Sequence, residues 1–279
     1  MDKITSFFTT LVLIVSYLFG CAAPSVEGPV SVLGKDSKTG LSALYAGQGI
    51  TADEEHYYTS GSVFNQKSGI GLQFLAKWNA GFRRQKVNLS PIPREYKKTY
   101  GCGHIGGISY HDGVIYAAVE GTDYSVNFIF LYDAGDLSLL EAHNVSRGEL
   151  TDGIPWVAVD SENGYIYTST WHETDELLRF DLNDFSPAGS LKLSEPVARI
   201  QGGEFYDGVL YLSKDNSSSV REEVLAVDVA TGQVTTAFTP VMAGYDNEAE
   251  DLTVCPRPDG SLFHVLNYDK LLGLNVMHY

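Results

Sequence analysis

Hydrophobic residues along this chain come in short runs separated by turn residues. Five times the runs form one phrase, an apolar strand, a turn carrying Asp, Asn or Gly, and a second strand ending in aromatics. The first strands begin at Gly49-Ile50-Thr51-Ala52, Gly107-Ile108-Ser109-Tyr110, Trp156-Val157-Ala158-Val159, Gly203-Glu204-Phe205-Tyr206 and Asp251-Leu252-Thr253-Val254. Aligned on the aromatics of the second strands (Tyr58, Tyr116, Tyr167, Tyr211, Phe263), the repeats are spaced by 58, 51, 44 and 52 residues. Each unit therefore holds several strands. A period of roughly 40 to 50 residues with several strands per unit predicts an all-β propeller.

Five four-stranded blades are expected. The third unit shows all four strands (156–160, 165–170, 176–182, 189–193), as does the fourth (199–206, 209–213, 223–229, 233–239). The fifth runs out after three, which leaves an open edge. An N-terminal strand, from Pro29–Leu33 or Leu41–Tyr45, is expected to close the ring. Six blades are the alternative if 66–100 holds a degenerate unit, but that stretch reads as two outer strands and a Pro-containing loop.

Residues 4–20 are mostly apolar and follow Lys3, which marks an export signal rather than part of the fold. Leu18-Phe19-Gly20-Cys21 resembles a bacterial lipoprotein lipobox, with Cys21 the lipidated residue; Phe19 is bulkier than its usual occupant. The expected organisation is signal and lipobox over 1–23, tether and closing strand over 24–47, and propeller over 48–279. The protein is expected outside the cytoplasm, at the cell envelope on a lipid anchor or secreted, as a monomer. Cys102 and Cys255 fall at opposite ends of the channel, so two free, largely buried thiols are expected rather than a disulfide.

With 19 basic and 35 acidic residues, the formal charge is −16, which excludes a nucleic-acid backbone as partner. Eight of the basic residues lie from Lys67 to Lys98, where they read as a charged outer edge that blocks sheet-to-sheet association, the other reading being an anion or lipid-headgroup patch. Gly101-Cys102-Gly103-His104-Ile105-Gly106 matches G-x-G-x-x-G, but a β-hairpin follows it instead of a helix. Its glycines read as room for crowded backbones.

Candidate chemistry follows from geometry. In a propeller, residues just before each first strand and just after each second strand share one face. That face would hold Gln48, His104, Asp152, Gln201, Glu248, Glu250 and Asp251, facing Glu120, His172, Lys214 and Asn267. Oxygen-rich sets of this kind prefer Ca²⁺ or Mg²⁺ to zinc, with Glu248, Glu250 and Asp251 the expected metal ligands and Ca²⁺ the expected ion. His104 and His172 are the candidate proton carriers, and Gln48, Glu120, Asp152, Gln201, Lys214 and Asn267 the expected ligand-binding residues. The chain holds no serine-nucleophile elbow, no H-E-x-x-H and no Cys-x-x-Cys.

His104-Ile105-Gly106-Gly107-Ile108-Ser109-Tyr110 with Gly113-Val114-Ile115-Tyr116, and Leu225-Ala226-Val227-Asp228, resemble the broad propeller superfamily of YVTN-type, NHL-like and gluconolactonase or strictosidine-synthase-like proteins. The resemblance covers about residues 45–279. It implies a ligand site at the channel mouth, in enzymatic relatives a Ca²⁺-dependent hydrolase of esters, lactones or phosphoesters. A non-catalytic envelope module that captures a protein or glycan through Tyr124, Trp171 and Tyr268 is the other expectation.

Overall fold

The computed structural model describes residues 37–63, 72–216, 222–240, 247–269 and 273–279. Five four-stranded antiparallel sheets stand in a ring, a five-bladed β-propeller. The first described strand is β1 (Ser37–Ser42). Blade one is β2 (Tyr45–Ala52), β3 (His56–Val63), β4 (Leu72–Asn79) and β5 (Arg84–Asn88). A helix, α1 (Arg94–Tyr100), leads to blade two: β6 (Cys102–His111), β7 (Val114–Gly121), β8 (Asn127–Asp133) and β9 (Leu139–Asn144). Blade three is β10 (Ala158–Asp160), β11 (Tyr165–Thr168), β12 (Thr174–Asp181) and β13 (Pro187–Val197). Blade four is β14 (Ile200–Tyr206), β15 (Val209–Lys214), β16 (Glu223–Asp228) and β17 (Gln233–Phe238). Blade five is β18 (Asn247–Val254), β19 (Phe263–Asp269) and β20 (Gly273–His278), with β1 on its outer edge.

The closing strand is thus Ser37–Ser42, whose Ser37 pairs with His278 and Ser42 with Leu274. Of the two expected donors, Leu41–Tyr45 is split: Leu41 and Ser42 end the closing strand, while Tyr45 already begins blade one. Pro29–Leu33, the signal and Cys21 lie outside the described residues. The expected Pro-containing loop ends in α1, bounded by Pro93, which cannot continue a helix N-terminally as a donor, and by Gly101 in the left-handed conformation. Cys102 is buried and Cys255 half-buried, both as free thiols. Burial pushes the Cys102 thiol up to about 11.

The core is not one mass but five apolar seams, one between each pair of neighbouring blades. Tyr58 and Leu75 meet Ile105 and Phe130 between blades one and two, and Tyr116 and Ile129 meet Val159 and Phe180 in the next seam. Tyr167 meets Leu210, Tyr211 meets Phe263, and Tyr57 meets Leu266 and Val276 in the remaining three. Each buried aromatic of this size stabilises by roughly 2 kcal/mol. That is why the repeat is marked by aromatics.

Register corrects the repeat by one residue. Tyr58, Tyr116, Tyr167 and Tyr211 pair across the inner strands with Thr51, Ser109, Ala158 and Glu204. In blade five the matching pair is His264 with Thr253, whereas Phe263 pairs with Val254 and faces the opposite seam. Because neighbours on a strand point to opposite faces, His264 is the true counterpart of Tyr58. It sits buried against Tyr57 and His278.

Candidate functional site

Every blade but the third carries an irregularity on its innermost strand. Gln48 is left unpaired between Gly47 and Gly49, and Gln201 between Ile200 and Gly202. Gly106 and Gly107 fall between the paired Ile105 and Ile108, and Glu250 and Asp251 between the paired Ala249 and Leu252. A bulge re-aims the side chain at the extra residue. Here the bulges turn Gln48, Gln201 and Glu250 toward one end of the channel, where a cavity of about 430 Å³ opens. The glycines of β6 serve backbone approach: a Cβ on Gly106 would stand 2.2 Å from the Pro155 carbonyl oxygen.

Eight of the residues expected on this face line the cavity together: Gln48, His104, Glu120, Asp152, His172, Gln201, Glu248 and Glu250. Four of them form a continuous polar chain. Glu120 Oε2 accepts from the Ile154 N–H at 2.7 Å, and its Oε1 lies 2.8 Å from His104 Nδ1 without the alignment of a hydrogen bond. On the far side of the ring, His104 Nε2 meets Gln48 Oε1 at 2.7 Å. Gln48 Nε2 then donates to Glu250 Oε1 at 3.1 Å. The chain ends at Glu250, which is 0 % exposed and whose Oε2 has no hydrogen-bond partner among the described residues. Burial, reinforced by the negative charges of Glu248, Asp215, Asp251 and Glu222, drives the Glu250 carboxyl well above the ordinary range.

A second pair stands at the rim. Asp152 accepts from the Trp171 and His172 backbone N–H groups at 3.2 and 2.6 Å and also holds the Thr170 hydroxyl and His172 Nδ1. With Nδ1 engaged by the carboxylate, His172 is set to keep its lone pair on Nε2. Its side chain is 78 % exposed, so that nitrogen is open to solutes.

Three expected residues stand elsewhere. Lys214 pairs with Glu223 at 3.0 Å along blade four, and Asn267 is buried in blade five, donating to Asn275 Oδ1 at 3.0 Å. Asp251 crosses the channel below the cavity. Its Oδ2 accepts from the N–H groups of Ile50 and Ile108 at 3.1 and 2.9 Å, and Oδ1 from Leu252 at 2.8 Å. Burial pushes its carboxyl well above the ordinary range against the pull of those amides. Lower still, Glu204 accepts from the Thr51, Thr253 and Ser109 hydroxyls at 2.9, 3.3 and 3.4 Å, and burial raises it to about 8.

Sequence reasoning missed Glu204, because it draws candidates only from the strand ends, and Pro155 in the cavity wall. Tyr124 and Trp171, read from sequence as exposed aromatics on loops of this same face, line the cavity, Tyr124 staying exposed. Beside it, Arg199 stacks over Trp171 at 4.9 Å and pairs with Asp215. Glu222 accepts from the Asn216 N–H at 2.7 Å, and burial, then the neighbouring Asp215, raises it to about 7. As for a metal, the buried free oxygen of Glu250 beside Glu248 is what a cation would seek. Among the described residues, however, no three His, Cys, Asp or Glu side chains converge as a metal site.

No family model and no curated protein matches the chain. Solved structures do. A GH43_1 enzyme from Xanthomonas citri superposes with a TM-score of 0.56 over 86% of this chain and 88% of its own, at 12% identity. A GH43 β-xylosidase/α-arabinofuranosidase from a compost microbial metagenome, in a calcium-free complex with xylotriose, gives 0.55 over 87% and 93%, at 14% identity. A luciferin-regenerating enzyme gives 0.53 over 88% and 95%, at 9% identity. What they share with this chain is the propeller. At these identities the likeness concerns fold alone.

Proposed function

We propose that the cavity binds a small polar molecule and hydrolyses an ester, lactone or glycosidic bond in it. Two groups of complementary character support this reading. His172, oriented by Asp152, offers an accessible basic nitrogen that can take a proton from water. Glu250, kept protonated by burial and crowding, can give one to the leaving oxygen. An accessible imidazole beside a carboxyl held in its acid form is what acid and base catalysis at neutral pH requires. The observation that carries the reading is the buried, unpartnered Oε2 of Glu250 at the wall of the cavity. His104, bonded to Gln48 through Nε2 and standing against Glu120 on its other side, is a positioning residue: it fixes Gln48, which fixes Glu250.

Calcium, if it enters, would be held by Glu248 and Glu250 and would polarise the oxygen under attack. Export and anchoring through Cys21 complete the proposal and place the substrate outside the cytoplasm. That two of the structural neighbours are glycoside hydrolases makes glycosides a natural part of the screen.

The test is a panel of chromogenic esters, lactones and glycosides, run with EDTA and with added Ca²⁺. Turnover of one class is expected, with His172→Ala and Glu250→Gln each lowering kcat by about 100-fold or more. A wild-type protein inert across the panel, or variants as active as wild type, would overturn it.

A further inference from the structure

Charge in the cavity is one-sided. Glu120, Asp152, Glu248 and Glu250 line it, and among the described residues neither lysine nor arginine does. Among the described residues the cations nearby are committed elsewhere: Arg199 to Asp215, and Lys214 to Glu223. Glu120 and Asp152 are compensated, the first by His104 and the Ile154 N–H, the second by the amides of 171 and 172. Glu250 is not. A fully buried carboxyl oxygen without a donor forgoes a hydrogen bond and costs roughly 1–3 kcal/mol, and ionised it would cost more. Such a cost is removed when a donor or cation arrives with the ligand.

Size and walls narrow the class of that ligand. The volume of about 430 Å³ suits a small organic molecule and far exceeds a bare ion. Tyr124 and Trp171 supply aromatic faces, which attract cations. The Trp171 ring already carries Arg199 at 4.9 Å, so its π-face is suited to positive charge. A metal ion alone would want three or more converging ligands, which the described residues do not provide.

We infer that the cavity is a receptor for an organic ammonium group, docked on Glu250 Oε2 between Glu248 and the aromatic wall. The inference rests on the cavity being the ligand site, as in the proposed function, but not on hydrolysis. It excludes phosphoesters and free carboxylic acids as ligands unless they also carry a compensating positive charge.

Binding is measured by calorimetry and thermal shift on the whole chain with putrescine, choline, xylitol, acetate and CaCl₂ as separate probes. Putrescine or choline is expected to bind and raise Tm, with xylitol weaker and acetate absent. Glu250→Gln and Glu248→Gln should each weaken the amine by about tenfold or more, the first because an amide cannot release a proton and ionise against the ammonium, the second because it removes a charge beside it; Glu248→Gln keeps the test alive if Glu250→Gln fails to fold. Stabilisation by CaCl₂ that EDTA reverses, with the amines inert, would overturn the inference. So would xylitol binding as tightly as putrescine, or no amine binding at about 50 mM, far above the range of a specific site. Amine binding without turnover of any chromogenic substrate would leave it standing and dismiss the hydrolase alone.

Discussion

Glu250 and Asp251 are neighbours on one strand, equally buried, and opposite in purpose. Asp251 spends its two oxygens on three backbone amides from blades one, two and five, and so ties the ring across its axis. Glu250 receives a single bond from Gln48 and keeps one oxygen free at the cavity wall. Burial alone therefore does not separate a structural carboxylate from a functional one. The count of satisfied hydrogen bonds does. The bulge between Ala249 and Leu252 makes this possible, because it sends two adjacent acids to the mouth and the waist of one channel.

The waist tolerates no added atom, which gives the largest expected effect. A Cβ on Gly202 would stand 1.7 Å from Asp251 Oδ1, so Gly202→Ala must displace the carboxylate and free its amides. A loss of roughly 4 kcal/mol is expected from urea unfolding; a variant within about 1 kcal/mol of wild type would show that the waist yields easily.

A second acid sharpens the contrast below the waist. Glu204 is fully bonded yet raised to about 8. Between its unfolded value near 4.5 and about 8, the folded state holds a proton that the unfolded state has lost, so stability falls as pH rises through that window. Glu204→Gln should flatten the decline of Tm between pH 5 and about 8.5 by a few degrees. An unchanged slope would assign the decline to other groups.

The smallest expected effect lies at the seam that closes the ring. His264 Nδ1 meets His278 Nδ1 at 2.8 Å, its Nε2 meets the Cys255 carbonyl at 2.8 Å, and His278 Nε2 meets the Thr39 hydroxyl of β1 at 3.0 Å. Burial lowers His264 to about 3 and lowers His278 as well. Both are depressed bases, so their contribution is present above pH 6.5 and lost as pH falls from there toward 3. His264→Phe, which restores the aromatic of the other blades, should move the acid-unfolding midpoint to lower pH. A midpoint that stays in place would show that the pair does not set acid stability.

The ring was legible because its repeat is written in aromatics that each blade needs for its own seam. The one-residue slip at Phe263 arose where blade five uses His264 instead, and a histidine does not look like a repeat aromatic. The mouth was legible in outline, since residues at strand ends converge in any propeller: Gln48, His104, Glu120, Asp152, His172 and Gln201 meet as topology requires. What alternation could not show was the bulge. It placed Glu250 and Asp251 on opposite sides of a strand, correctly, but gave no sign that one would be saturated by amides from two other blades. Lys214 found a closer acid in Glu223 on the neighbouring strand, and Asn267 a partner in Asn275. Such pairings depend on register, which composition and spacing do not carry.

The most direct test of the contrast is urea unfolding of Asp251→Asn and Glu250→Gln, side by side and without ligand. Asp251→Asn should lose about 2 kcal/mol or more, because an amide cannot accept from all three N–H groups. Glu250→Gln should lose nothing or gain slightly, because it removes a crowded, half-bonded acid. Equal losses, or a greater loss at Glu250, would contradict the claim that the mouth is kept free for a ligand while the waist holds the ring.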